Sequence, residues 1–382
     1  MPMQGPARPA SYSLAFLSGG SSQLAAGFLG TTIPLLIGLG PGGSDLLGHV
    51  TASYSAGFAL GCLTAPALIG LLGSRTAFVF CMVVQATCSL LLALVPQESW
   101  TVLRAAMGFC GAGSVVVFES WINTTAASGW RTRIFSLFNF WGRLAMMGGQ
   151  ALAATGWAQS AGATALPAAL YLSACAALVI LLGKDMRPAP RSGIAMLRAM
   201  KGVPLMSAVA ITYVGAVGST LVFMAPGWGI IAGLAPATAA LLAVTVQSGS
   251  FLFQWPLAWL ADNRSRQGVI LAAMAVTFIA ATILLLGGIA SVAAIFALCA
   301  VMGGCTLPVY AIAHSSAFER AGSEAPVALS GALLLCWAAG GFLGPILAGV
   351  CMERFGPGGL FMGIGAVTLT CAGLILVLNR AR

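Results

Sequence analysis

The chain has 382 residues, of which 59% are hydrophobic and only 7% charged. A soluble domain carries about a quarter charged residues, so this composition excludes one and places the chain in a bilayer, crossing it many times. The basic excess, 17 Lys+Arg over 8 Asp+Glu, is scattered among short loops instead of forming a stripe, which excludes a nucleic-acid partner.

A crossing needs about 20 apolar residues, and twelve can be laid end to end. They fall near 13–38, 47–71, 76–95, 100–124, 133–155, 167–183, 204–227, 234–260, 268–287, 290–314, 326–350 and 357–378. The first is too long for a signal-peptide core and has no cleavage site at the right place, so it is expected to remain as a crossing. Between the fourth and fifth spans lies a short polar turn, Asn123 to Arg133, ending in Arg131 and Arg133. Its basic character marks it as cytoplasmic and sets the direction of every other crossing. With both termini inside, fourteen of the 17 basic residues fall on the inner side. The connection from Lys184 to Gly202 is the longest and most basic, with five basic residues against Asp185 alone. The chain is therefore read as all-α, with twelve transmembrane helices in two pseudo-symmetric six-helix halves, 1–183 and 204–382, joined by a cytoplasmic linker at 184–203.

An internal repeat supports the division. At an offset of 191, Ser74-Arg75 maps onto Ser265-Arg266 and Asn123-Thr124-Thr125-Ala126 onto His314-Ser315-Ser316-Ala317. At this offset Gly149 falls on Gly340, and Gly148-Gly149 and Gly340-Gly341 are read as contacts along which the halves move. Ten cysteines lie in or at the ends of apolar runs without metal or redox spacing, and are read as small packing residues.

Ionisable side chains inside apolar helices are costly and point to function. Arg104, Glu119 and Arg143 all occupy such positions. Arg143 lies about 15 Å past the inner boundary, near the midplane, where transporters hold their substrates. Asn139, Arg143 and Gln150 fall at i, i+4 and i+11 on one face of span five. A guanidinium there can grip a carboxylate or phosphate in paired hydrogen bonds, or stack on a planar ring. The competing use is structural, pairing with Glu119 or capping helix carbonyls. In the second half Thr306, Tyr310 and His314 recur every four residues on span ten, and Gln247, Ser250 and Gln254 share a face of span eight. Tyr213, Trp228 and Trp337 are candidate aromatic walls, with interhelical hydrogen bonding the commoner use of such polar faces.

Several stretches resemble the major facilitator superfamily (MFS). Pro256 to Gln267, PLAWLADNRSRQ, is similar to its G-x-L-x-D-R-x-G-R-R loop, keeping Asp262, Arg264 and Arg266 but not the leading glycine. The counterpart GLLGSR, Gly70 to Arg75, keeps Gly73 and Arg75 without the acid, and LRAAMGFCGAG resembles the fourth-helix R-x-x-x-G-x-x-A pattern. FLGTTIPL (28–35), FESWIN (118–123), GGCTLPVYAIAHSSAFE (303–319) and GGFLGPILAG (340–349) are similar to a poorly characterised branch of bacterial inner-membrane permeases. The resemblance covers essentially the whole chain and implies the MFS fold. It also implies that Glu119 pairs with Arg75, or with Arg131 and Arg133, to close an inner gate. Proton coupling and pairing with Arg143 remain open for Glu119. Asp262 with Arg264 would be the matching latch, and Arg104 would hold span one or sense substrate and protons, with plain packing as the alternative. The usual G-x-x-x-G-P-x-x-G-G of proton-driven exporters is missing from span five, which reads MMGGQALAATG; Gly340-x-x-x-Gly344-Pro345 stands in span eleven.

The expectation is a monomeric secondary transporter of the bacterial inner membrane. It would carry a small anionic or aromatic organic solute, nutrient- or vitamin-like, by alternating access. The candidate solute contacts are Arg143, Asn139, Gln150, Gln247, Gln254, Tyr310 and Trp337. Import is favoured because no acid stands in span one and Glu119 is the one carboxylate well inside a span. Protons are the candidate coupling ion. An exporter of drugs or metabolites is the runner-up, and a non-transporting receptor or scaffold the alternative of another class. No phosphate-binding G-x-x-x-x-G-K-[ST] loop, HExxH or GxSxG occurs, so neither ATP drive nor enzymatic activity is expected, and no cofactor.

Overall fold

The computed structural model describes residues 9–40, 43–125, 131–160, 162–181, 193–287, 291–321 and 326–380. Among them the fold is all-helical, because hydrocarbon offers no water to an unpaired N–H or carbonyl and a helix satisfies both internally. The helices are α1 Pro9–Leu39, α2 Gly43–Leu72, α3 Ser74–Leu91, α4 Trp100–Thr125, α5 Arg131–Ala154, α6 Ala165–Leu181, α7 Gly193–Ala199, α8 Leu205–Phe223, α9 Ala225–Ile231, α10 Pro236–Asn263, α11 Arg266–Leu286, α12 Val292–Thr306, α13 Val309–Ala321, α14 Pro326–Phe355 and α15 Gly359–Arg380. Ten described stretches are long and apolar enough to cross a membrane. The arginine-bearing α5 and the 17-residue α6 complete twelve spans.

Two spans are interrupted. Span seven breaks between α8 and α9, where Pro226 opens the new helix, and span ten breaks between α12 and α13, where Pro308 lies between Thr306 and Val309. Proline has no N–H and crowds the preceding turn, so each break falls where the sequence removes a donor. The linker read as a plain loop carries α7 at its end, with Met196 buried against Gly331 of α14.

Helix contacts separate the chain into two compact units, Met1–Thr32 with Gly57–Gly193, and Ile33–Ala56 with Ile194–Arg382. In the first, α1 and α5 run in register. Trp141 Nε1–H donates to the Phe16 carbonyl at 2.9 Å, and Phe16 meets Phe138 edge-on at 5.7 Å. A methyl group added at Gly149 would overlap the Leu24 carbonyl and crowd the Phe28 amide. In the second unit, one added at Gly340 would overlap the Thr212 carbonyl and crowd the Ala216 amide. Gly149 and Gly340 are 191 positions apart, and their partners 188. The pair α2 and α4 repeats likewise as α10 and α12: Gly57 abuts the Ala105 backbone, and Gly249 the Ala300 backbone. The duplication read from weak sequence matches is thus present in backbone contacts. These glycines pack inside their units, since lipid leaves small residues and close backbone approach as the main means of joining helices. That corrects the expectation that Gly149 and Gly340 are sliding contacts.

The second unit's core also holds two aromatics expected to line a cavity. Tyr213 is fully buried with its hydroxyl 3.3 Å from Thr306 Oγ1, which is itself 3.3 Å from Thr277 Oγ1. Trp228 is 2% exposed, donates from Nε1 to the Pro357 carbonyl at 2.8 Å and meets Phe361 edge-on. Both are structural, because a buried polar tip on a large apolar ring is satisfied by a fixed partner.

We expect Gly149→Val and Gly340→Val each to destabilise the protein by about 1–3 kcal/mol, the usual cost of overpacking. Gly148→Ala, where an added methyl meets nothing within 4 Å, leaves thermal unfolding unchanged; melting of the three variants in detergent checks this.

Candidate functional site

The polar stripe of span five lies along α5, and its exposure changes sharply from end to end. Asn139 and Arg143 are exposed, whereas Gln150 is 0% exposed. Asn139 Nδ2–H donates to the Phe135 carbonyl one turn back at 2.9 Å, so its amide is partly committed to its own helix. Neither amide atom of Gln150 has a hydrogen-bond partner. A buried amide left unpaired costs about 1–3 kcal/mol, and such a group in a native fold calls for an explanation.

Arg104 on α4 is 5% exposed, next to Ala105, whose backbone Gly57 abuts. Arg75 is half-buried at the start of α3. The side chains of Glu119 and Arg131 lie outside the described residues. Gln247 is half-buried, Gln254 exposed and Ser250 4% exposed, so the shared face of α10 runs from enclosed to open. Trp337 is half-buried, and its carbonyl lies against Gly215 of α8. Tyr310, His314 and Phe318 form a ladder along α13, with ring centroids 5.7 and 4.7 Å apart. The break after Thr306 thus separates a buried hydrogen-bonded residue from a partly open aromatic face.

At the expected latch of the second half, Asp262 and Arg264 are exposed. The ion pair seen at this corner joins α11 to α13: Arg266 donates from both terminal nitrogens to Glu319, at 2.5 and 2.7 Å. Such a bidentate fork fixes orientation as well as charge. Sequence reasoning noted Arg266 in the loop motif and missed its partner, 53 residues on. It also missed Thr31 and Thr32 of α1, which are 0% and 2% exposed with hydroxyls unpartnered. Threonine in a helix ordinarily bonds its own i−4 carbonyl, so the sequence carries no signal that these do not. Among the described residues no cluster of His, Cys, Asp or Glu could hold a metal.

The profile of the Major Facilitator Superfamily matches residues 15–345. The chain belongs to this superfamily. It is 25% identical over 369 residues to the uncharacterized MFS-type transporter YcaD of Salmonella newport (strain SL254), covering 94% of this chain and 92% of that one. It is 29% identical over 135 residues to an uncharacterized MFS-type transporter of Yersinia enterocolitica. That match spans about a third of the relative's length, 34%. Among solved structures the chain is similar to the nucleoside transporter NupG, with TM-score 0.74, 16% identity and 98% of each chain covered. It is also similar to a D-xylose-proton symporter, with TM-score 0.67, 17% identity and 96% of each covered. At these identities the likeness is one of fold. The chain is thus a multi-pass membrane protein of a transporter superfamily.

The Arg266–Glu319 pair is open to water, Glu319 being 63% exposed, so Glu319→Gln is expected to change unfolding free energy by only about 0–1 kcal/mol. The charge-exchanged double variant Arg266→Glu/Glu319→Arg should recover what either single exchange loses. Thermal melts at low and high salt check both statements.

Proposed function

We propose that this protein is a secondary transporter that moves a small anionic or aromatic organic solute across the bacterial inner membrane by alternating access, with Arg143 as the solute's anchor. The observation that carries the reading is the exposed Arg143 guanidinium on the same face of α5 as the enclosed, unpaired amide of Gln150. A cation in an apolar helix is retained where something anionic or planar uses it. The solute contacts are Arg143, Asn139 and Gln150 from the first half, and Gln247, Gln254, Tyr310 and Trp337 from the second. The halves are 1–183 and 204–382, joined through 184–203, with both termini in the cytoplasm. NupG carries nucleosides and the xylose protein is a proton symporter by name; planar or polyhydroxylated organic solutes suit the same reading. Import is the favoured direction, with Glu119 or Arg104 the candidates for proton coupling. Glu119 with Arg75, or with Arg131 and Arg133, and Asp262 with Arg264 secure the inner gate.

The test is ligand-induced thermal stabilisation of the purified protein against a metabolite panel, with wild type and Arg143→Ala side by side. A ligand at a hundredfold excess over its Kd stabilises the folded state by about 2.7 kcal/mol. We expect an anionic or planar compound to stabilise wild type and leave Arg143→Ala unmoved. Equal responses from both, or responses only to cationic drugs, would make Arg143 structural and favour an exporter.

A further inference from the structure

We propose that Gln150 and Thr31 form a neutral hydrogen-bonding subsite of the solute path, and that the solute is an elongated organic anion. It would carry an amide, imide or hydroxyl edge about 10 Å from its charge. The inference rests on the reading of Arg143 as anchor and adds a second, chemically different contact.

The register of α1 against α5 carries the first step. Gly19 lies against Phe138, Gln23 against Gly142 and Gly27 against the Met146 backbone, each pair 119 positions apart. One turn further on, the same register places Thr31 level with Gln150. Two buried polar side chains at one level of one interface would ordinarily bond each other. Instead Thr31 Oγ1 and both amide atoms of Gln150 are unpartnered, as is Thr32 Oγ1.

The repeated interface of the second unit supplies a control. The 188-position offset that carries Leu24 and Phe28 onto Thr212 and Ala216 carries Thr31 and Thr32 onto Ser219 and Thr220. Thr220 donates to the Ala216 carbonyl at 2.8 Å, the ordinary arrangement for a helix threonine. Ser219 is buried and unpartnered like Thr31. Gln150 corresponds to Gly341, and a Cβ added there would lie 2.6 Å from Ser55 Oγ and 2.9 Å from Ser219 Oγ. The level that is filled by hydroxyls in the second unit is thus furnished in the first with an amide that the fold itself does not use.

Arg143 and Gln150 are seven residues apart, two helical turns, or about 10 Å along one face of α5. A carboxylate or phosphate held at Arg143 then presents a group at that distance to a donor and an acceptor at Gln150 and a hydroxyl at Thr31. An aliphatic tail would leave these groups unpaired, and a site built to hydrogen-bond rejects the analogue that lacks the bond.

The probes are pantothenate and uridine monophosphate, each an anion with such a remote edge, and heptanoate, an anion without one. Thermal melts of the full-length protein would compare wild type, Gln150→Leu, Thr31→Val and Arg143→Ala. We expect at least one remote-edge probe to stabilise wild type and heptanoate to do so weakly or not at all. Gln150→Leu and Thr31→Val should each weaken that probe by about tenfold, one hydrogen bond's worth. Their unliganded melting temperatures should be equal to or above wild type, because an unused buried polar group has been removed. Lower unliganded melting with unchanged probe affinity would make the two residues structural and overturn the subsite. So would stabilisation by heptanoate alone, or by none of the three. If only Arg143→Ala weakens the probe, the anchor stands and the subsite falls; if only the Gln150 and Thr31 variants do, the anchor falls.

Discussion

The structure depends on backbone meeting backbone. In lipid, apolar side chains gain nothing by leaving their surroundings for one another, so helices are held by close packing and by the few polar bonds available. Here Gly27, Gly57, Gly149, Gly215, Gly249, Gly303 and Gly340 each press directly on a neighbouring helix's carbonyl, with no room for a methyl group. These contacts recur in matched form in the two units, which argues that one packing solution has been used twice. Side-chain bonds such as Ser18 to the Ala174 carbonyl and Ser89 to the Thr164 carbonyl reinforce it.

Against this economy, the departures are informative. Several buried hydroxyls, as at Tyr213 and Thr277, and the Trp228 indole are satisfied within the fold. The amide of Gln150 and the hydroxyls of Thr31 and Thr32, on the helix pair that also carries Arg143, are without a partner, as are Trp100 Nε1 and the hydroxyls of Ser207 and Ser219 elsewhere. A helix that tolerates a cation and an unpaired amide on one face has been shaped by something other than packing. The second unit contributes milder groups: a partly open aromatic ladder on α13 beyond a proline break, and the glutamine face of α10.

The fold was legible in the sequence because lipid imposes a strong rule. Long apolar runs must be helices. The interrupted spans were less legible: Pro226 and Pro308 look no different in sequence from Pro34 or Pro345, which α1 and α14 accommodate without stopping. Span five was read as an apolar run, Arg143 was singled out as a cation inside it, and Asn139 and Gln150 by their spacing from Arg143. What spacing could not show is that one is exposed and the other enclosed. Thr31 was invisible as a site residue because nothing local separates a threonine that bonds its own helix from one that does not. Glu319 was invisible as the partner of Arg266 because the contact joins two helices far apart in sequence.

Counterflow tests whether the chain carries an organic anion by gripping it at Arg143. Proteoliposomes preloaded with the unlabelled solute that best stabilises the protein would be given the labelled form outside. We expect saturable, transient accumulation in wild type, its loss in Arg143→Ala, and no accumulation in empty liposomes. Accumulation that persists at the wild-type level in Arg143→Ala would rule out Arg143 as the anchor.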